Sequence, residues 1–169
     1  SGDMHYMENG KWKTIFHTIS PTATGFENTN NSHKTFYPSL SSGQIRTVLQ
    51  NGSALIDMKD MRMFYETNGQ IVQSQNIQSK QGLVDFNELT YKSVYGTGID
   101  LRLTQNTKQR KMDYIIQNQA ALNNIPNGAQ FLVFEEKVEL PIGWTAQLIN
   151  NEIILKDQVG NVMAKYEKP

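Results

Sequence analysis

Apolar and polar side chains trade places at every second position through much of this chain. The clearest case is the pair Ile99-Asp100-Leu101-Arg102-Leu103 and Met112-Asp113-Tyr114-Ile115-Ile116, separated by the polar run Gln-Asn-Thr-Lys-Gln-Arg. A period of two puts alternate residues on opposite faces of a strand, so this stretch predicts a β-hairpin with one buried face and with Asp100 and Arg102 standing in water. Just upstream, Gly96-Thr97-Gly98 supplies two residues that tolerate positive φ, as a bulge or tight corner between strands requires.

The same rhythm extends in both directions. Residues 11–19, KWKTIFHTI, alternate and come after the turn Glu8-Asn9-Gly10, which predicts one strand across that span. Residues 20–32 are rich in Thr, Asn and Ser around Pro21 and Gly25 and predict an irregular loop, after which residues 34–38 predict a short strand ended by Pro38. Asn51-Gly52 and Asn68-Gly69 each lie between strand-like runs, and Asn-Gly suits a type I′ hairpin because both residues accept positive φ. These turns predict strands over 45–50, 53–58, 61–67 and 70–77. Residues 82–88 read as a connection and 89–95 as a strand. Gln119 to Ile125 is a helical candidate of one or two turns, closed by Pro126-Asn127-Gly128. Residues 130–140 predict a strand with Leu132, Phe134, Val138 and Leu140 on one face and Glu135, Lys137 and Glu139 on the other. Three more short strands, 144–149, 152–156 and 162–166, complete a predicted four-strand meander.

The fold class is therefore all-β: an antiparallel β-sandwich with hairpins and at most one short helix. A soft boundary near Gly82 to Glu88 divides the chain into an N-terminal β module, 1–88, and a C-terminal β module, 89–169, packed against it or continuous with it. At 169 residues the chain is long enough for either arrangement.

Composition narrows the partners. The formal net charge is zero and the basic residues are scattered, so nothing resembles the electrostatic footprint of a nucleic-acid binder or of a protein drawn to anionic membranes. No apolar run approaches the length of a membrane span, so membrane insertion is not expected. The chain has no cysteine, which removes disulfide scaffolds, thiolate zinc sites and cysteine nucleophiles together. Only 19% of residues are charged, and Asn, Gln, Thr and Ser are abundant, as suits hydrated strand faces of an exported protein. Ser1-Gly2-Asp3 carries no signal sequence, which fits a removed leader or an excised segment, and Tyr166 to Pro169 reads as a linker.

Candidate chemistry is sparse. His5, His17 and His33 sit in separate segments without ligand spacing, whereas a metal needs several donors converging at about 2 Å. Asp57 and Asp60, with Glu66 nearby, lack the Asp-x-Asp-x-Asp-Gly spacing of a calcium loop, so no cofactor is expected and a structural calcium is the one metal left room for. Glu135, Glu136 and Glu139 invite comparison with paired glycosidase carboxylates, which also need a cleft and one raised pKa. Glu136 interrupts an apolar face and, if buried, needs a partner such as Arg102 or Lys111. Ser39, Ser41, Ser42 and Ser53 lack a nucleophile elbow, and no helix comes after Gly96-x-Gly98 to receive a phosphate. Trp12, Tyr37, Tyr65, Tyr91, Tyr95 and Trp144 make a sugar-stacking platform if they face solvent together, with Tyr37, Tyr65, Tyr91 and Tyr95 as the candidate glycan- or protein-contact residues. Strand aromatics otherwise serve cross-strand packing.

Three blocks read together carry a resemblance: Trp12-Lys13-Thr14-Ile15; Phe26 through Asn28, Asn31, His33 and Lys34 to Pro38; and Val94-Tyr95-Gly96-Thr97-Gly98-Ile99-Asp100-Leu101-Arg102-Leu103 continued by Lys111 to Ile116. The progression resembles the N-terminal β-rich region of large secreted bacterial cell-surface proteins, of the Bacteroidota type and the YD-repeat, Rhs-like wall-associated type. The resemblance implies export, by the type IX route, and a non-enzymatic β module leading a larger polypeptide in adhesion, surface organisation or toxin encapsulation. It implies an extracellular or cell-surface location and, as partners, the rest of that polypeptide and a surface glycan or protein. It supplies no catalytic residues, and YD repeats are absent from this chain. The competing expectation is a carbohydrate-binding module or a glycan-active enzyme domain.

Overall fold

A computed structural model describes residues 4–122 and 124–167 and is built almost wholly of antiparallel strands. In chain order these are β1 (His5–Glu8), β2 (Lys11–Thr14), β3 (Ser20–Pro21), β4 (Gly25–Asn28), β5 (Lys34–Pro38) and β6 (Ile45–Val48). Next come β7 (Ala54–Thr67), β8 (Gln70–Asn76), β9 (Gly82–Asp85), β10 (Glu88–Tyr91), β11 (Ile99–Gln105) and β12 (Arg110–Ile116). After a single 3-10 turn at Gln119–Leu122 come β13 (Phe131–Glu139), β14 (Thr145–Ile149), β15 (Glu152–Lys156) and β16 (Val162–Tyr166).

Two sheets face each other, as the alternating pattern predicts for a sandwich. The larger has seven strands, running β13-β7-β6-β5-β4-β3 with β8 also on β7, and the smaller has the order β12-β11-β10-β9. Phe26, Tyr37, Ile45, Met58, Met61 and Met63 point from the large sheet into one core with Leu89, Tyr91, Ile99, Leu101 and Leu103 of the small one. Burying alternate apolar residues from both inner faces is what holds such layers together. On one flank the Tyr114 and Phe134 rings, one from each sheet, stack at 3.9 Å between centroids, with Tyr95 tilted beside Phe134 at 5.7 Å. Residues on both sides of Glu88 share this core, β9 pairs with β10, and β13 pairs with β7, so the soft boundary at 82–88 falls inside a hydrogen-bonded sheet.

The hairpin forms between the two predicted segments, with Ile99 opposite Ile116, and its strands run on into the run read as the turn as far as Gln105 opposite Arg110. Of its predicted polar face, Arg102 is partly exposed and Asp100 does not stand in water. Asp100 is 1% exposed and is held by the Ser93 N–H at 2.8 Å, the Lys92 ammonium at 2.9 Å and the Gln117 amide at 3.0 Å. The corner at Gly96 and Gly98, with φ of 105° and 88°, folds the chain back over the strand end and brings those donors in. Burial pushes the Asp100 carboxyl up, and the three donors outweigh it and hold it below the usual range.

Other expectations are corrected by contacts distant in sequence. The predicted strand 11–19 ends at Thr14, because buried Asn28 donates from Nδ2 to the carbonyls of Phe16 at 2.7 Å and Thr18 at 2.9 Å and holds that segment out of a ladder. The loop expected at 20–32 contains β3 and β4, and the connection expected at 82–88 contains β9. Asn68-Gly69 forms the two-residue turn, with φ of 49° and 73° between Thr67 and Gln70. At Asn51-Gly52 only the glycine has positive φ, and a longer loop joins Val48 to Ala54. The four-strand meander is split: β13 joins the large sheet, while β14, β15 and β16 make a separate three-stranded sheet.

Strands 53–58 and 61–67 prove to be one strand of 14 residues, β7. Between Arg62↔Glu135, Lys59↔Lys137 and Ile56↔Glu139 the β7 side twice advances by three residues while β13 advances by two. Each step is a β-bulge, and each holds a non-glycine residue at positive φ, Asp60 at 49° and Met58 at 57°. The double bulge turns β7 so that one edge serves β6 first and β8 afterwards.

The fully buried Leu101 lies at the centre of this packing. Leu101→Ala is expected to lower unfolding free energy by about 3 kcal/mol in urea titration, through lost transfer energy plus a cavity. Ile116→Ala, at a partly exposed position of the same sheet, is expected to cost under about 1 kcal/mol.

Candidate functional site

Buried charge is concentrated where the double bulge of β7 meets the start of β12. The Arg110 guanidinium donates to Asp57 Oδ2 at 2.6 Å and to Thr47 Oγ1 at 3.0 Å. Tyr166, from β16, donates its hydroxyl to the other Asp57 oxygen. Asp57 is 2% exposed, and its ion pair spans the two sheets. Removing two charges from water costs several kcal/mol per ion unless partners and hydrogen bonds replace the solvent, and here the pair has both.

Glu136 lies beside this pair and accepts the Met58 N–H at 2.8 Å, a donor that the bulge takes out of the ladder. Neither Arg102 nor Lys111 is its partner, contrary to the expectation from sequence: both pair with Asp113 on the far edge of β12. Burial raises the Glu136 carboxyl, the Met58 N–H opposes this, and the neighbouring Asp57 charge adds to the rise while Arg110 opposes it. Burial also pushes the Tyr37 hydroxyl up to about 12, and that hydroxyl donates to Gln105 Oε1 at 2.7 Å. Gln105 in turn donates to His33 at 3.1 Å, where burial and then the Arg110 charge lower the imidazole pKa. The result is a polar seam from His33 to Tyr166 whose members mostly bond one another.

The candidate acids of β13 are spread apart by the bulges. Glu135 is forked by Arg62 at 2.6 and 3.1 Å, Glu139 pairs with Lys59 at 2.7 Å, and Asp60 pairs with Lys137 at 2.7 Å. A cavity of about 540 Å³ lies over this region, with Met58 and Met61 in its wall and the Asp60, Arg62, Glu135 and Lys137 side chains about it. The histidines do not converge: His5 is exposed on β1, His17 bonds Thr107 at 2.7 Å, and His33 belongs to the seam. Among the described residues no group of three or more His, Asp or Glu is placed to hold a metal ion.

Of the two readings the strand aromatics left open, an exposed platform and packing, the tyrosines take the second. Tyr37, Tyr65, Tyr91 and Tyr95 are all buried, because each lies on the inward register of its strand or corner. Tyr91 donates to the Pro38 carbonyl at 2.6 Å across the sandwich. Trp144 is half-buried, and Trp12 alone of the six stands in solvent, 71% exposed. Tyr65 and Tyr95 are nevertheless brought together in the wall of a second cavity, of about 500 Å³. Its rim comes from β8, the corner at Gly96 and Thr97, and the 3-10 turn with Asn124 beyond it. Sequence reasoning passed over its polar residues, Gln73, Ser74 and Gln75, since Gln and Ser on a strand read as ordinary hydrated positions.

The family described as a domain of unknown function, DUF7948, matches residues 4–140. The chain belongs to this family. No curated protein and no solved structure matches it. The DUF7948 match takes in both facing sheets, the polar seam up to Glu136 and both cavities. It stops short of β14, β15 and β16, so Tyr166 reaches Asp57 from outside the matched segment.

Breaking the seam leaves a buried charge unpaired. Arg110→Ala is expected to lower stability by about 3–5 kcal/mol in chemical denaturation, and Arg102→Ala, at a half-exposed pair, by under about 1 kcal/mol. Glu136 also makes stability depend on pH. Its folded pKa lies above the ordinary value of 4.5, so the folded state binds the proton more tightly. This contribution is full below that value and is lost as pH rises from it through the raised folded pKa. Glu136→Gln keeps an acceptor for Met58 and cannot ionise. Denaturation midpoints across that interval should fall less steeply for the variant, and equal slopes would refute the assignment.

Proposed function

We propose that this DUF7948 domain is a non-enzymatic binding and structural β module of an exported bacterial cell-surface protein, serving adhesion or surface organisation. One observation supports it above the others. The acids that a hydrolase reading would use are engaged in ion pairs or enclosed in the seam, while the cleft between β8 and the Gly96 corner is rimmed by uncharged amides and hydroxyls. General acid–base catalysis needs a carboxyl or imidazole within hydrogen-bond reach of the proton it moves, and a cleft lined by neutral groups suits recognition instead.

The surroundings fit the same reading. The chain carries no net charge and no cysteine, and amide-rich strand faces such as Gln70–Asn76 stay hydrated without salt-sensitive charge pairs. Among the described residues no helix is long and apolar enough to cross a membrane. In keeping with the resemblance to Bacteroidota-type and Rhs-like surface proteins, the module heads a longer chain secreted by the type IX route. Its partners are then the remaining polypeptide and a surface glycan or protein.

Antibody against the domain tests the location. Intact cells of the native bacterium should be labelled as strongly as lysed ones, and labelling only after lysis would reject the surface assignment. Catalysis is tested separately with glycan substrates. No new reducing ends should accumulate, and turnover abolished by Glu136→Gln or Glu135→Gln would reject the non-enzymatic assignment.

A further inference from the structure

We infer that the cleft beside β8 is a binding site for a short stretch of neutral glycan, an inference that rests on the binding-module reading above. Three features of the cleft carry it. The first is its chemistry. Gln73, Ser74, Gln75, Thr97 and Asn124 offer carboxamides and hydroxyls, and among the described residues no acid or base lines the cavity. A carboxamide donates and accepts side by side, which matches the paired donor and acceptor of vicinal sugar hydroxyls, and a wall without charge provides no counter-ion for an anionic or cationic ligand. Its volume of about 500 Å³ falls in the range of small-ligand sites, roughly 300–1,000 Å³.

The second feature is the backbone of β8. Its pairing steps from Met63↔Gln75 to Tyr65↔Val72, so Gln73 and Ser74 together oppose Phe64. This is another bulge, with Gln73 at φ 51°, a conformation uncommon for a residue with a side chain. A bulge leaves its extra residue out of the ladder and re-aims its side chain. Among the described residues β8 pairs only with β7, leaving its other edge without a partner strand, and the strand Gln70–Asn76 contains no charged residue and no proline. Edge strands are usually blunted by such residues or by a bulge, and here the bulge takes that part while lying in the wall of the cleft.

The third feature is rigidity around an apolar floor. Tyr65, Tyr95 and Met63 in the wall are buried in the core, and a Cβ on Gly98 would come within 2.9 Å of Ala121 Cβ, so the corner is packed tightly onto the 3-10 turn. Aromatic and aliphatic carbon in a floor complements the C–H faces of a pyranose, while the polar rim fixes its hydroxyls. A wall held in place by the core loses little conformational entropy on binding.

The test is an amide-resolved NMR titration of the full chain with four separate probes: cellotetraose, mannotetraose, N-acetylchitotetraose and, as a charged counterpart, tetragalacturonate. At least one neutral probe should shift the backbone and side-chain amide signals of Gln73, Gln75 and Asn124 together with the Thr97 amide, and tetragalacturonate should leave them in place. Ser74→Trp puts an indole at an exposed rim position and should weaken that binding at least about tenfold, with the melting temperature within about 2 °C of the parent. Gln73→Gly keeps the positive φ, deletes one carboxamide and should weaken binding roughly three- to tenfold. The inference is overturned if none of the neutral probes moves these signals, if the shifts gather elsewhere such as around Trp12, or if both variants bind undiminished. Failure here with surface labelling intact rejects the glycan alone and points to a protein partner. Label found only inside the cell rejects the functional reading itself.

Discussion

The contact between Asp57 and Arg110 is the constraint on which the arrangement of the two sheets depends. It ties the fourth residue of β7 to the first residue of β12 through a low-dielectric interior, where an unpaired charge would not be tolerated. Apolar layers alone can slide or rotate with little change in buried area, because hydrophobic burial is non-directional. A buried guanidinium that must meet both a carboxylate and the Thr47 hydroxyl fixes the register between sheets. The bonds Tyr37 to Gln105 and Tyr91 to Pro38 act in the same sense at two further points.

That ion pair lies beside the irregular part of β7. Asp57 and its neighbour Met58 are both buried, and the bulges are at Met58 and Asp60. The freed Met58 N–H is then taken by Glu136, so strain, a buried acid and a buried ion pair form one unit. Positive φ at non-glycine residues persists only where the surroundings over-determine it. Here they do so through β13 along one edge of β7 and the seam on its inner face.

The division of charge across the molecule has its origin in the same geometry. The β7 and β13 bulge region gathers acids and bases that neutralise one another, and the opposite end of β7, where β8 pairs, gathers amides and hydroxyls. The three-stranded sheet beyond the family match touches the seam through Tyr166, which makes the DUF7948 core sensitive to the segment C-terminal to it.

The alternation of side chains by itself determined the fold class, the hairpin at 99–116, the strand at 34–38 and the Asn68-Gly69 turn. Each of these rests on neighbours a few residues apart, where period and turn chemistry act directly. The broad strand 131–139 was legible too, though not its partner, since alternation says which face is buried and not against what. Tertiary structure alone decided that Asp100 is sheltered, that Glu136 answers to a backbone N–H, and that Tyr37, Tyr65, Tyr91 and Tyr95 are buried and do not form an exposed platform. It also decided that Gln73 and Asn124, 51 positions apart in the numbering, share one cleft. Bulges, corners and cross-sheet ion pairs depend on groups brought together from far along the chain, and a two-residue rhythm carries no information at that distance.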